Sequence, residues 1–275
     1  MSATGRASFR PCMKEKSQRL DALLVERGLA DSRSRAQGLI LSGSVRVGDK
    51  VVTKAGFHAA PDEPLAVERS DGFASRAGEK LDAALDEFGM SVAGRPCLDA
   101  GASAGGFTDV LLRRGASEVL AVDVGYGQLD WSLRNDTRVI VFERTNVRHL
   151  RGDELPLAPD LLVADLSFIS LGVALESLFT TTPSLREAVL LVKPQFEAGP
   201  EHVRRGGLVR DPEVHRAVIQ RVAGFFDTLG FGAVGVTRAP LPGRRAGNRE
   251  YPLHLLRGAE TVLDEARIGE VVRVG

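Results

Sequence analysis

Residues 97–112, CLDAGASAGGFTDVLL, set an acid and a glycine-rich turn between an apolar run and a helical pattern. Strand–turn–helix units of this kind hold nucleotide-like ligands, and the side chain at each position limits which one. A phosphate-cradling loop, Gly-x-x-x-x-Gly-Lys-Ser/Thr, is excluded: Gly101 and Gly106 have the right gap, but Phe107 stands where the lysine must reach the phosphates. The dinucleotide fingerprint Gly-x-Gly-x-x-Gly is hindered, because Ser103 occupies the position whose missing side chain admits the pyrophosphate. S-adenosylmethionine carries no phosphate. It needs glycines beside its methionine and ribose parts and acids for its ammonium and ribose hydroxyls. Asp99, before the turn, and Asp123, in AVDVG at the end of the next apolar run, are acids at such places. Strand termination or helix capping would use the same two acids, so spacing alone leaves both readings open. Lys193 directly follows the apolar run AVLLV and precedes Pro194, so a buried strand would deliver an amine to the edge where ligands bind. Asp165 follows the apolar run LLVA in the same way.

The elements that must position these residues alternate from Arg76 onward. Helices are expected over 79–89, 106–115, 171–179 and 212–230, and strands over 95–101, 118–125, 138–144, 160–167, 187–195, 232–240 and 249–258. The strands are Val/Leu-rich runs rather than strict alternations, as in strands buried on both faces of a parallel sheet. This predicts a doubly wound α/β domain, Rossmann-like, with ligands at the carboxyl ends of its strands. Residues 18–68 read as a separate small α+β unit. Leu20, Leu23 and Leu24 share one helical face that stops at Gly28, Ser32 caps a second helix that stops at Gly43, and three short strands follow, two of them around Gly48-Asp49. The expected division is a flexible tail over 1–16, the small unit over 17–70, a hinge over 71–78 and the large domain over 79–275.

Composition bounds the function classes. The 275 residues are 43% hydrophobic and 26% charged with no net charge, which suits a folded chain with a sizeable core. The charge is uneven: residues 1–60 hold 11 Lys/Arg against 5 Asp/Glu, so the front end is basic and the rest acidic. A basic appendage on an acidic body points to a polyanionic partner. Cys12 and Cys97 are far apart and form neither a disulfide framework nor a metal-ligand spacing, which fits a reducing cytoplasm and no metal. The N-terminus lacks the apolar stretch of a secretion signal, and the most apolar region is interrupted by Asp160, Asp165 and Glu176, so no membrane span is read.

Six segments occur in a telling order: DAGASAGGFT, VDVGYGQLDWSLRND, ERTNVR, VADLSFISL, LVKPQFE and GNREY. Together they closely resemble the TlyA-type ribosomal RNA 2′-O-methyltransferases, also called hemolysins. The front unit, RLDALLVERGLADSRSRAQGLILSGSVRVGD, resembles the S4 RNA-binding domain that this family carries. The similarity spans roughly residues 18–257. It implies an FtsJ-like domain using S-adenosylmethionine to methylate ribose, cytidine above all, in 16S or 23S ribosomal RNA. The resemblance further implies a Lys-Asp-Lys-Glu tetrad, which falls on Lys80 (AGEKL), Asp165 (VADLS), Lys193 (LVKPQ) and Glu250 (GNREY). A ribose 2′-hydroxyl holds its proton tightly, so transfer needs in-line positioning and help in removing that proton. Lys193 is expected as base or hydroxyl-activating group, oriented by Asp165, with Lys80 and Glu250 positioning the ribose.

For the cofactor, resemblance and turn chemistry together point to Asp99, Gly101, Ala102, Ser103, Gly105, Gly106, Phe107, Asp123, Asn146 and Asp165, with Asn146 near the adenine. The ring of Phe107 would serve equally as core. With only 5% aromatic residues, RNA recognition should rest on shape and backbone charge, and Arg19, Arg33, Ser34, Arg35, Arg46 and Lys50 are the front-unit residues expected on phosphates. The expected partners are ribosomal RNA or ribosomal subunits, with the protein a cytoplasmic monomer. Three other readings compete: methylation of another RNA such as transfer RNA, a pseudouridine synthase bearing an S4 appendage, and a membrane-lytic protein. The body's cofactor-type pattern argues against the second. The lack of a membrane span or strongly basic amphipathic helix argues against the third.

Overall fold

A computed structural model describes residues 17–30, 32–54, 56–67, 72–243 and 247–273. The expected tail, 1–16, and Asp71 lie outside them. The chain divides into two compact units, 1–71 and 72–275.

The first unit begins with strand β1 (Gln18–Arg19) and helices α1 (Leu20–Glu26) and α2 (Arg33–Ser42). The Ser32 side chain accepts from the Arg35 N–H at 3.1 Å, and Gly43 closes α2 at φ +82°, so both expected helix signals act as read. Strands β2 (Val45–Val47), β3 (Lys50–Val51), β4 (His58–Ala59) and β5 (Leu65–Val67) follow. β2 lies between β3 and β5, and a short β1–β4 pair, with no alternation to betray it, forms a second sheet. Leu20, Leu23, Leu24, Ala36, Ile40 and Val45 bury the apolar faces against one another.

The second unit opens at Gly72. Its first residues are fastened to its own helices: the Ala74 N–H donates to Asp109 at 2.8 Å, and the Arg113 guanidinium lies 5.0 Å from the Phe73 ring centre. The elements are α3 (Ala77–Glu87), β6 (Pro96–Ala100), α4 (Gly106–Arg113), β7 (Glu118–Val122), α5 (Trp131–Arg134), β8 (Val139–Phe142), β9 (Leu161–Ala164), α6 (Leu171–Thr181), β10 (Glu187–Val192), α7 (Pro194–Glu197), α8 (Pro212–Thr228), β11 (Phe231–Val236), β12 (Tyr251–Arg257) and α9 (Glu265–Arg273). The seven strands lie in the order β11-β12-β10-β9-β6-β7-β8. Strand order reverses between β6 and β9, where ligands bind in open α/β sheets. Leu98, Leu120, Leu162 and Leu190 face the layer holding α6 and α8, and Cys97, Val119, Val163 and Val189 face the layer holding α3 and α4. That two-sided burial explains the continuous apolar runs. Phe179 packs on Phe226 and Phe231 with ring centres 4.5 and 4.6 Å apart.

One strand departs from the expected parallel sheet. β12 runs antiparallel to both β10 and β11. Among the described residues no crossover helix separates β11 from β12, and the chain doubles back. The helices α5, α7 and α9 were not read from the sequence; the first two are one turn long.

Candidate active site

Four of the parallel strands end at one edge with a functional residue just beyond: Gly101 after β6, Asp123 after β7, Asp165 after β9 and Lys193 after β10. Antiparallel β12 reaches this edge with its first residue, Tyr251, which pairs with Val192. Glu250, one step earlier, therefore comes to the carboxyl edge beside Lys193. Lys80 projects from the first turn of α3.

The four tetrad side chains form two close pairs. Lys80 Nζ lies 2.5 Å from Glu250 Oε2, and Lys193 Nζ lies 2.5 Å from Asp165 Oδ1. Lys193 also donates to Ser167 Oγ at 3.0 Å. Lys80, Lys193 and Glu250 are buried, at 9%, 8% and 4% exposure, depths at which lysine and glutamate persist only when paired. The sequence held a sign of this that reasoning by motif passed over: residues 72–275 contain just two lysines, Lys80 and Lys193, against 22 arginines. A unit that uses arginine everywhere else keeps lysine where a compact ammonium is needed.

The turn after β6 is shaped by close approaches within the chain. Gly101 has φ +89°, and a Cβ there would stand 2.8 Å from the Asp165 carbonyl oxygen. A Cβ on Gly106 would meet Ser75 Oγ and the Gly78 nitrogen, and one on Gly105 would strike Leu133 and Leu129. These glycines let β9, α3 and α5 close on the turn. The Phe107 ring is 3% exposed and packs in the α3–α4 layer, so core packing occupies it; only its backbone faces the turn. Ala102 is also buried. Ser103 adopts φ +48°, and its N–H donates to Asp123 Oδ2 at 2.8 Å. That N–H is therefore already held by a carboxylate, which disfavours an anionic phosphate there.

Asp99 is fully buried on β6. Its Oδ2 accepts from Thr108 Oγ1 at 2.6 Å, while Oδ1 has no hydrogen-bond partner among the described residues. Burial, aided by the charges of Asp165 and Asp123 and opposed by the Thr108 hydrogen bond, pushes its pKa up to about 7. A buried carboxyl with one unsatisfied oxygen, at the strand-order reversal, suits a cationic ligand, and S-adenosylmethionine bears both an ammonium and a sulfonium. Asp123 accepts from the Ser103 and Gly125 N–H groups and remains partly exposed. Asn146 is exposed, and its side chain caps the short turn 147–149.

Two features here were not read from the sequence. Phe168 has φ +66° and is 75% exposed, with its ring 5.0 Å from that of Phe196, which in turn lies under Lys193 Nζ at 5.9 Å. A bulky residue held left-handed with its ring in solvent marks a functional position. In the first unit, Asp21 is completely buried yet charged. It accepts two hydrogen bonds from Arg19 (3.0 and 2.8 Å) and one from Gln37 (2.8 Å), and Arg33 approaches at 3.5 Å. Arg19 and Arg33 are thus gathered around one carboxylate, whose pKa the Arg19 hydrogen bonds hold well below the usual range. Arg46 donates to the Asp49 carbonyl at 3.1 Å; Ser34 and Lys50 are exposed. Among the described residues no cluster of three His, Cys, Asp or Glu is placed to hold a metal, and no helix is long and apolar enough to cross a membrane.

Residues 73–257 match the FtsJ-like methyltransferase family, and residues 18–64 match the S4 domain. The 16S/23S rRNA (cytidine-2′-O)-methyltransferase TlyA of Mycobacterium tuberculosis (strain CDC 1551 / Oshkosh) is 46% identical over 256 residues, covering 92% of this chain and 95% of that protein. Hemolysin A of Brachyspira hyodysenteriae is 39% identical over 242 residues, 86% of this chain and 99% of its own. A solved structure from Streptococcus thermophilus, provisionally named a hemolysin, superposes with a TM-score of 0.70 at 36% identity, covering 93% of this chain and 94% of that one.

Proposed function

The chain belongs to the TlyA family of S4-bearing, FtsJ-like methyltransferases, and from that premise we propose that it methylates a ribose 2′-oxygen of cytidine in 16S or 23S ribosomal RNA. S-adenosylmethionine is the donor and supplies, when bound, a methyl group activated on a sulfonium. Asp99, Asp123 and Asn146, with the backbone of residues 101–107, would hold it along the carboxyl edge.

The carrying observation is the pair of buried Lys–carboxylate contacts at that edge, Lys193–Asp165 and Lys80–Glu250. The 2′-oxygen attacks the methyl carbon, and its proton must leave as the new O–C bond forms. Lys193 is the group assigned to that proton, either accepting it or holding it by hydrogen bond, with its amine oriented by Asp165 and Ser167. Lys80, fixed by Glu250, donates to the ribose and sets the angle of approach. The exposed ring of Phe168 offers a stacking face to a base turned out of its helix. Arg19 and Arg33, gathered on Asp21, face phosphates from the S4 unit.

Mapping 2′-O-methyl sites on ribosomal RNA, with and without the enzyme, tests the reading. Modified cytidines in 16S or 23S RNA are expected. Methylation confined to transfer RNA would transfer the proposal to the competing RNA substrate, and leakage of liposomes with no methylation of RNA would overturn it. Lys193→Ala should lower methyl transfer by more than about a thousandfold while S-adenosylmethionine affinity stays within about twofold; residual turnover of a few per cent would remove Lys193 from its assigned role.

A further inference from the structure

The second unit carries 24 Lys/Arg against 27 Asp/Glu, so its net charge is negative. Among the described residues, eight of its arginines sit within ion-pair distance of a carboxylate, from Arg95 with Asp160 and Glu187 to Arg267 with Glu270. The segment 203–211, VRRGGLVRD, gathers three arginines that are not so paired. Arg204, Arg205 and Arg210 are exposed and have no carboxylate partner among the described residues. Three unneutralised guanidiniums within seven residues, on a unit of net negative charge, form a local positive spot that the protein's own acids leave open.

The spot has a fixed geometry. Arg204 and Leu208 form an isolated antiparallel bridge, with the Arg204 N–H donating to the Leu208 carbonyl at 3.0 Å and the Gly207 N–H to the Arg204 carbonyl at 2.8 Å. Gly206 and Gly207, at φ +94° and +84°, make the tight reversal that a residue with a side chain would strain. The hairpin is stapled to the edge that carries Glu250. Asn248, 2% exposed, accepts from the Val209 N–H at 2.9 Å and donates to the Gly207 carbonyl at 2.7 Å. Beneath it His215 joins the Val209 carbonyl at 3.0 Å to the Tyr251 hydroxyl at 2.8 Å. Asn248 and Tyr251 flank Glu250 in sequence, so one buried polar network sets both the hairpin and the tetrad glutamate.

We infer that this arginine hairpin binds phosphates of the substrate RNA and fixes the strand's register over the tetrad. The inference rests on the RNA-methylating function proposed above and adds to it a phosphate-binding element within the catalytic unit, separate from the S4 unit. Guanidiniums suit the role because their planar donors match phosphate oxygens two at a time. Rigid attachment next to Glu250 turns a backbone contact into placement of a ribose, since phosphate contacts set position and carry no sequence information.

The test measures binding of full-length protein to 16S and 23S ribosomal RNA transcripts across a salt series. Three proteins are compared: wild type, Arg204→Gln/Arg205→Gln, and Arg204→Lys/Arg205→Lys. Each phosphate contact contributes about 0.7–0.9 to the slope of log K against log[salt], so loss of two lowers the slope by roughly 1.4–1.8 and weakens binding by several tens of fold near 0.1 M salt. The glutamine variant should show that loss with an unchanged melting temperature and unchanged S-adenosylmethionine affinity, and the lysine variant should keep most of the slope. A glutamine variant with the wild-type slope overturns the inference alone. Wild-type protein that binds neither RNA overturns it together with the function on which it rests.

Discussion

The partnerless Oδ1 of Asp99 leads to a pH dependence of cofactor binding that can be worked out in advance. Burial pushes this carboxyl up to about 7, against an ordinary value of 3.8. Binding of a cation beside Oδ1 favours the ionised form, so affinity should follow the ionised fraction. Between about pH 5.5 and 7 that fraction rises from roughly 3% to about half, which predicts an increase in S-adenosylmethionine affinity on the order of tenfold. The cofactor's own α-amino group, with an ordinary pKa of about 7.7–8.0, stays protonated over most of this window and does not supply the slope. Titration calorimetry in buffers of different ionisation enthalpy would read both the affinity and the proton released on binding. Asp99→Asn, which keeps the hydrogen bond from Thr108, should flatten the profile and abolish the proton release. The unliganded protein gives a second readout of opposite sign. A carboxyl whose folded-state pKa is raised costs nothing below about pH 4, where it is protonated in both states. The cost grows as pH rises towards 7, to an upper limit of about 4 kcal/mol. Unliganded wild type should thus lose stability from pH 4 to 7 relative to Asp99→Asn. A flat affinity profile in wild type, or an asparagine variant that keeps the slope, refutes the assignment of Asp99 to the cofactor's cationic end.

Two further substitutions separate binding from folding. Phe168→Ala removes a 75%-exposed ring, so the melting temperature should barely move, while RNA turnover falls by about 5- to 150-fold, the value of one base–aromatic stack of 1–3 kcal/mol; single-turnover methylation of ribosomal RNA reads this directly. Asp21→Ala strips Arg19, Arg33 and Gln37 of their shared acceptor. Because both arginines are about half exposed and can rehydrate, the cost to the S4 unit should be about 1–3 kcal/mol, read by denaturant unfolding, with RNA affinity reduced and S-adenosylmethionine affinity unaffected. Asp21 is held below its ordinary pKa, so its contribution is present above about pH 4 and disappears on acidification.

Most of the second unit could be read from its sequence because its strands are buried on both faces, and a run such as LLVA or AVLLV signals that burial without help from neighbours. Lys193 and Asp165 were legible for the same reason: each is the first polar residue after such a run. Glu250 was a matter of resemblance alone, because nothing local says that the strand following it runs backwards. The short elements α5, α7 and the β1–β4 pair span two to four residues, too few for any periodicity. The close approaches at the turn's glycines were not legible, since the neighbours Asp165, Ser75 and Leu133 come from distant parts of the chain. Asp21 and Phe168 escaped notice because an acid inside an amphipathic helix and an aromatic after a strand look ordinary until burial and φ are known.

The reversed strand β12 has a consequence for synthesis. β11 joins the sheet only through β12, and the four tetrad side chains span positions 80 to 250. A nascent chain can form β6 to β10 and the glycine turn as these emerge, in sequential parallel units, while Lys80 has no carboxylate and β10 has a bare edge. β12 lies between β10 and β11, so the chain must emerge past residue 257 before that edge can close and Glu250 can meet Lys80. For an enzyme whose substrate is proposed to be ribosomal RNA, this order of assembly leaves an unfinished copy, still tethered to a ribosome, without Glu250 and so without a completed tetrad.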